Sequence, residues 1–157
     1  MYSSNELTLY AFRSILSHLV DIEESKNEIV NRIYNEPSTL RDDFKCFLDY
    51  YIKRLEELMK TVRIVDKPSR EELKSLNYLP YVIIGSTVDL ENVNNLNNHF
   101  FKIVSPYDTY NTYNSKENLS CLSALGKSLM LNKPGDIIKT KLNGDQCLYK
   151  IKSIQYN

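Results

Sequence analysis

Phe44-Lys45-Cys46-Phe47-Leu48-Asp49-Tyr50-Tyr51-Ile52-Lys53-Arg54-Leu55-Glu56-Glu57-Leu58-Met59-Lys60-Thr61-Val62 decides the first half of the fold. Within it Phe44, Leu48, Tyr51, Leu55, Leu58 and Val62 recur at intervals of four, three, four, three and four. This is the spacing of a coiled-coil seam, a narrow apolar line, and not the broad face of a helix laid on a globular core. Upstream, Phe12, Leu16, Leu19, Ile22, Ile29 and Ile33 keep the same phase, with Lys26 at the one polar seam position, where its stem can lie along the seam. Helices are therefore predicted over 6–34 and 39–65. Between them, in Asn35-Glu36-Pro37-Ser38-Thr39, proline disfavours helical geometry at Glu36 and removes a backbone donor. Thr39 is expected to cap the second helix, with Asp42 three residues on closing a capping box. So short a break makes neighbouring helices antiparallel. Each arm would run on the order of 40 Å at 1.5 Å per residue. The alternative, a two-helix layer folded onto a sheet, calls for a wider apolar face than this one.

Working outward, 67–80 reads as a connector in which Ser69 and Glu72 have capping-box spacing for a short helix. Beyond it, 81–90 and 99–105 are β-branched or aromatic runs separated by an Asn-rich turn. Asn143-Gly144, between strands predicted over 137–142 and 146–154, has the residues a type I′ hairpin turn needs. Cys147, Tyr149 and Ile151 alternate with Leu148, Lys150 and Lys152, so one face of the last strand is buried. A short helix over 123–130, with Leu125, Leu129 and Met130 on its core side, would cover that face. The organisation is α+β: an antiparallel helical hairpin over 1–66, the connector, and a small antiparallel-sheet domain with one short helix over 81–157.

Composition limits the chemistry. The 157 residues carry no net charge, yet residues 1–66 hold nine Lys/Arg against twelve Asp/Glu and the remainder eleven against eight. An acidic hairpin is a poor binder of duplex DNA. Cys46, Cys121 and Cys147 are odd in number and lack the paired spacing of a zinc site, so they read as buried or half-buried free thiols of a reducing compartment. His18 and His99 have no Cys, Ser or carboxylate at a catalytic spacing and are read as structural. Each of the four glycines stands alone, which excludes a phosphate-cradling loop. No basic segment followed by an apolar run opens the chain, and no stretch approaches the ~20 apolar residues of a membrane span. A cytoplasmic protein that is not an enzyme in its own right is expected, with no membrane partner.

Four segments of the second half add a resemblance. In order they are Val82-Ile83-Ile84-Gly85-Ser86-Thr87-Val88, Phe101-Lys102-Ile103-Val104, Leu119 to Leu129 with its "S-x-x-S-x-L-G-K-x-L", and Lys133-Pro134-Gly135-Asp136 running into Tyr149-Lys150-Ile151. Over 81–156 this set resembles the C-terminal domain of the GreA/GreB family, bacterial elongation factors that enter the secondary channel of RNA polymerase. The resemblance implies an FKBP-like arrangement without isomerase activity, a helical hairpin in front of it, and RNA polymerase as the partner of a monomeric chain. In that family acidic residues at the hairpin tip hold a magnesium ion in the polymerase's active centre and promote cleavage of backtracked RNA. The matching place here offers Glu36, Asp42 and Asp43, which puts contact with the nascent RNA 3′ end within the reading. Any Mg2+ would be shared with the polymerase, and no intrinsic cofactor is implied.

Two departures from the family pattern bear on mechanism. The tip motif "G-D-L-x-E-N-x-E-Y" is absent, and the hairpin is shorter by roughly ten residues, about 7 Å per arm. In the polymerase-docking loop, usually close to "S-V-N-S-P-L-G-R", Ser120, Ser123, Leu125, Gly126 and basic Lys127 are kept, while Leu122 and Ala124 replace the asparagine and the proline. The contact candidates are accordingly Ser120, Leu122, Ser123, Ala124 and Lys127. The functions left open are a Gre-like factor that modulates elongation or cleavage, a channel-blocking regulator without cleavage activity, and a general protein-interaction module.

Overall fold

The computed structural model describes residues 6–106, 118–142 and 144–156. Two compact units divide the chain, Glu6–Arg70 and, among the described residues, 71–156.

In the first unit, helices α1 (Leu9–Ile33) and α2 (Thr39–Thr61) form the hairpin. Its antiparallel sense follows from which residues meet: Tyr34 packs on Phe44, Arg41 donates to Asn31, Lys26 pairs with Asp49, and His18 bonds the Tyr51 hydroxyl at 2.9 Å. On α2 the buried residues are Phe44, Leu48, Tyr51, Leu55 and Leu58, the heptad seam read from sequence. On α1 they are Ala11, Ile15, Leu19, Ile22 and Val30. The expected seam positions Phe12, Ile29 and Ile33 are only half-buried and Leu16 is exposed, so the phase there was misread. With Lys26 included, the actual line has intervals of four, four, three, four and four. Eleven residues then span three steps, near the 3.6 residues of a straight α-helix rather than 3.5. Lys26 does lie half-buried in that line, its ammonium reaching Asp49 on the other helix.

The hairpin ends also differ from expectation. Residues Glu6–Thr8 form a strand, β1, that pairs in parallel with β2 (Arg63–Val65), so α1 starts three residues later than predicted and α2 stops short of 65. Thr8 has extended geometry (φ −68°, ψ 158°) and its hydroxyl accepts the Ala11 N–H at 3.2 Å, which starts the helix after it. At the other end Val62 is extended (φ −79°, ψ 148°), releasing the β-branched Ile64 and Val65 to the strand. Ser38, not Thr39, caps α2, accepting from Arg41 N at 3.1 Å. Asp42 therefore sits one place beyond the position from which a capping box closes.

After the one-turn helix α3 (Arg70–Leu73), the second unit carries a five-stranded sheet of β3 (Ser86–Asn92), β4 (Asn98–Val104), β5 (Asn118–Ser120), β6 (Ile137–Leu142) and β7 (Asp145–Tyr156), in the order β5-β4-β3-β7-β6. All pairings are antiparallel except β4 with β5. The strand expected over 81–90 begins only at Ser86. Tyr81, Val82 and Ile83 are buried, but Val82 exchanges backbone hydrogen bonds with Leu131 and Asn132, and Gly85 then turns the chain with φ +96°. Gly85 lies so close to the Tyr156 ring that a Cβ would come within 2.8 Å of it. The core comprises Val88, Leu90, Ile103, Ile138, Tyr149, Ile151 and Ile154 on one sheet face, with Leu125, Leu129 and Met130 from and beside helix α4 (Ala124–Leu129). Gly144 has the positive φ (+85°) of the expected hairpin turn; its neighbour Asn143 lies outside the described residues. Of the three free thiols, Cys121 is buried and Cys147 half-buried as expected. Cys46 is exposed, because it falls between seam positions 44 and 48.

Candidate functional site

The loop from Ser120 to Lys127 is built around one hydroxyl. β5 ends at Ser120, held beside Val104 of β4, and the Cys121 N–H continues the ladder to the Val104 carbonyl at 2.9 Å. Two turn residues then lead into α4, whose N-cap is Ser123. The Ser123 hydroxyl donates to the Ser120 carbonyl at 2.7 Å and accepts from Gly126 N at 3.0 Å, while Ser123 N also donates to Ser120 O at 3.1 Å. The Ser120 hydroxyl accepts from Leu122 N at 3.2 Å. Both serines thus shape the loop, and the hydroxyl of Ser123 is occupied on both sides.

Gly126 completes the arrangement. A Cβ there would collide with the Ser120 carbonyl oxygen, so glycine alone lets the helix approach this closely. Sequence reading kept Gly126 only as part of a pattern; the signal for its role was the fixed S-x-x-S-x-L-G spacing. Around the frame, Lys127 and Ala124 are exposed and Leu122 is half-buried. The side chains free to meet a partner are Lys127, Ala124 and the outer part of Leu122. Ala124 is the first helical residue, where a proline would lose no helix hydrogen bond. Burial pushes the Cys121 thiol up to about 11, which removes it from nucleophilic chemistry.

At the hairpin tip Glu36, Asp42 and Asp43 are all exposed. Glu36 precedes the turn proline, whereas Asp42 and Asp43 occupy successive positions in the first turns of α2. Among the described residues no group of three or more His, Cys, Asp or Glu side chains is placed to hold a metal ion. His18, bonded to Tyr51, and His99, stacked on Phe101 and edge-on to Tyr149, are both engaged in packing.

Comparison with known proteins bears on the stretch that contains this loop. The sequence pattern of the family described as "Transcription elongation factor, GreA/GreB, C-term" matches residues 80–156, the stretch whose motifs were read above. Over 103 residues the chain is 28% identical to the transcription elongation factor GreA of Thermotoga neapolitana, a match covering 66% of this chain and 59% of that one. GreA of Thermotoga maritima matches over 103 residues at 25%, with the same coverage of both chains. The chain thus spans 59% of the length of these relatives. Among solved structures, GreA factor homolog 1 (Gfh1) of Thermus thermophilus is 18% identical, with 98% of this chain and 99% of that one covered and a TM-score of 0.42. GreA/GreB from Nitrosomonas europaea is 20% identical, covering 96% and 98%, with a TM-score of 0.44. No helix among the described residues is long and apolar enough to cross a membrane. Residues 80–156, which include the Ser120–Lys127 loop, are thus a C-terminal domain of the GreA/GreB transcription elongation factor family.

Proposed function

We propose that this chain binds bacterial RNA polymerase at the secondary channel through its C-terminal domain, and that it slows elongation without strongly stimulating cleavage of backtracked RNA. The observation that carries the reading is the loop frame. The stretch that resembles the family's docking loop keeps Ser120, Ser123, Leu125, Gly126 and Lys127, and the frame of Ser120, Ser123 and Gly126 leaves Lys127 and residues 122 and 124 outward. The spread of the tip carboxylates supports the second half of the proposal: Glu36 precedes the turn proline, while Asp42 and Asp43 lie in the first turns of α2. The chain then performs no chemistry of its own and brings no cofactor; any Mg2+ it approaches belongs to the polymerase. It works as a cytoplasmic monomer, its hairpin occupying the channel near the nascent RNA 3′ end.

Competition with an authentic Gre factor for core polymerase tests the binding. Displacement by the full chain at micromolar concentration, weakened by Lys127→Glu, is the expected result. Failure to compete at tens of micromolar, while the protein is folded, would remove the family's partner from this chain and favour a general protein-interaction module.

A further inference from the structure

The sheet of the second unit has a second face, opposite the core, and its charge is one-sided. Strand register places Lys139 and Lys141 of β6, Lys150 of β7 and Lys102 of β4 on that face, together with Lys152 at the irregularity in β7. All five are exposed. Asp89 and Glu91 of β3 are the acidic residues there, and Glu91 is paired with Lys152 at 3.5 Å. Lysine on an edge strand such as β6 guards against unwanted strand pairing. That explanation does not reach Lys150 and Lys152, which lie on β7 between β6 and β3.

Phe100 stands on the same face, opposite Asp89 and two residues from Lys102, with 58% of its surface exposed. Ile137 projects beside Lys150 and is 60% exposed. A flat ring and an aliphatic side chain set among ammonium groups leave apolar area in water at a cost of about 25 cal/mol per Å². Strands about 4.8 Å apart bring these groups within the reach of one extended polyanion. Single-stranded nucleic acid has the matching chemistry, with phosphates for the lysines and an open base face for the ring. A duplex hides its base faces, and an acidic chain such as polyglutamate offers charge but no ring to stack on Phe100.

We propose that this outer sheet face, centred on Lys139, Lys141, Lys150 and Phe100, binds single-stranded nucleic acid. The site is separate from the Ser120–Lys127 loop and requires no polymerase, so its failure leaves the proposed function standing and the reverse is also true. Fluorescence anisotropy of labelled single-stranded RNA and DNA oligonucleotides with the full-length protein tests it. Binding should tighten as salt falls, with a slope of log K against log salt of about −3 for four phosphates neutralised. The double charge reversal Lys139→Glu/Lys141→Glu should weaken it by roughly ten-fold or more, and Phe100→Ala by roughly ten-fold through lost stacking. These side chains are exposed, so unchanged circular dichroism will show that the variants fold. Equal affinity for RNA and DNA means that backbone and base face alone are read; tighter RNA binding adds contact with the 2′-hydroxyl. The proposal is overturned by no binding at tens of micromolar in low salt, by a duplex binding as tightly, by polyglutamate competing as well as an unlabelled strand, or by the double reversal leaving affinity unchanged.

Discussion

Ser123 offers one hydroxyl, and the fold uses its donor and its acceptor together, so the loop that presents Lys127 is a rigid element made by two serines and a glycine. Three substitutions probe it with different expected signs. Ser123→Ala removes a helix cap and should cost about 1 kcal/mol. Gly126→Ala drives a methyl group into the Ser120 carbonyl and should cost about 1 to 3 kcal/mol as the helix is pushed away. Ala124→Pro should be tolerated, or stabilise by about 0.4 to 1 kcal/mol, because Ser123 already has the extended geometry (φ −65°, ψ 161°) that a following proline demands. Denaturant midpoints of the three variants decide the matter. A neutral Gly126→Ala, or an Ala124→Pro that unfolds the domain, would show that the loop is not held as described. At this scale the sequence was only partly legible. The spacing of Ser120, Ser123 and Gly126 marked the loop, but spacing does not reveal that the Ser123 hydroxyl faces inward to backbone rather than outward to a partner.

Along the hairpin, Leu55 is fully buried in the α2 seam, so Leu55→Ala should destabilise the hairpin by about 2 to 4 kcal/mol while leaving the sheet domain folded. Hydrogen exchange resolved by residue can separate the two, and a loss below about half a kcal/mol would mean the seam is not packed. A second property of the pair is its pH dependence. Glu23 of α1 shares a hydrogen bond with Glu56 of α2, which, with slight desolvation and the nearby Glu24, raises the Glu23 carboxyl above its ordinary 4.5. A folded-state value above the unfolded one means that the extra stability is fully present below 4.5 and is lost as pH rises through the raised value. The thermal midpoint of the hairpin should fall across that window in the natural protein and fall less in Glu23→Gln; parallel curves would show that the two carboxyls do not meet in solution. The α2 heptad was readable because five buried positions keep strict intervals of three and four. The α1 phase was harder, since Phe12, Ala11, Leu16 and Ile15 offer two adjacent apolar lines and only packing against α2 selects Ala11 and Ile15. The three-residue strands β1 and β2 carried too few residues to stand out against helical periodicity on either side.

For the chain as a whole, a family domain is joined to a hairpin whose tip departs from the family's pattern, and the consequences for activity follow from geometry. Helices of 25 and 23 residues give arms of about 35 Å at 1.5 Å per residue. Asp43 lies about 6 Å along α2 from Thr39, and Glu36 is on the far side of the turn proline. Ligands of a magnesium ion must be placed near 2.1 Å from it, so under the proposed function a tip that spreads Glu36 and Asp43 on either side of the turn should enter the channel without completing the coordination that transcript cleavage requires. Stalled elongation complexes incubated with the protein should therefore show slowed elongation and weak or absent cleavage. Glu36→Ala and Asp43→Ala should leave polymerase binding within about two-fold, since rim charges that do not dock contribute little, and should alter the slowing only slightly. Hairpin truncation that keeps the sheet domain should abolish the slowing but retain binding. Strong, magnesium-dependent cleavage that either single substitution abolishes would show instead that Glu36 and Asp43 converge on one ion once inside the polymerase, and the reading of the tip as non-catalytic would be wrong.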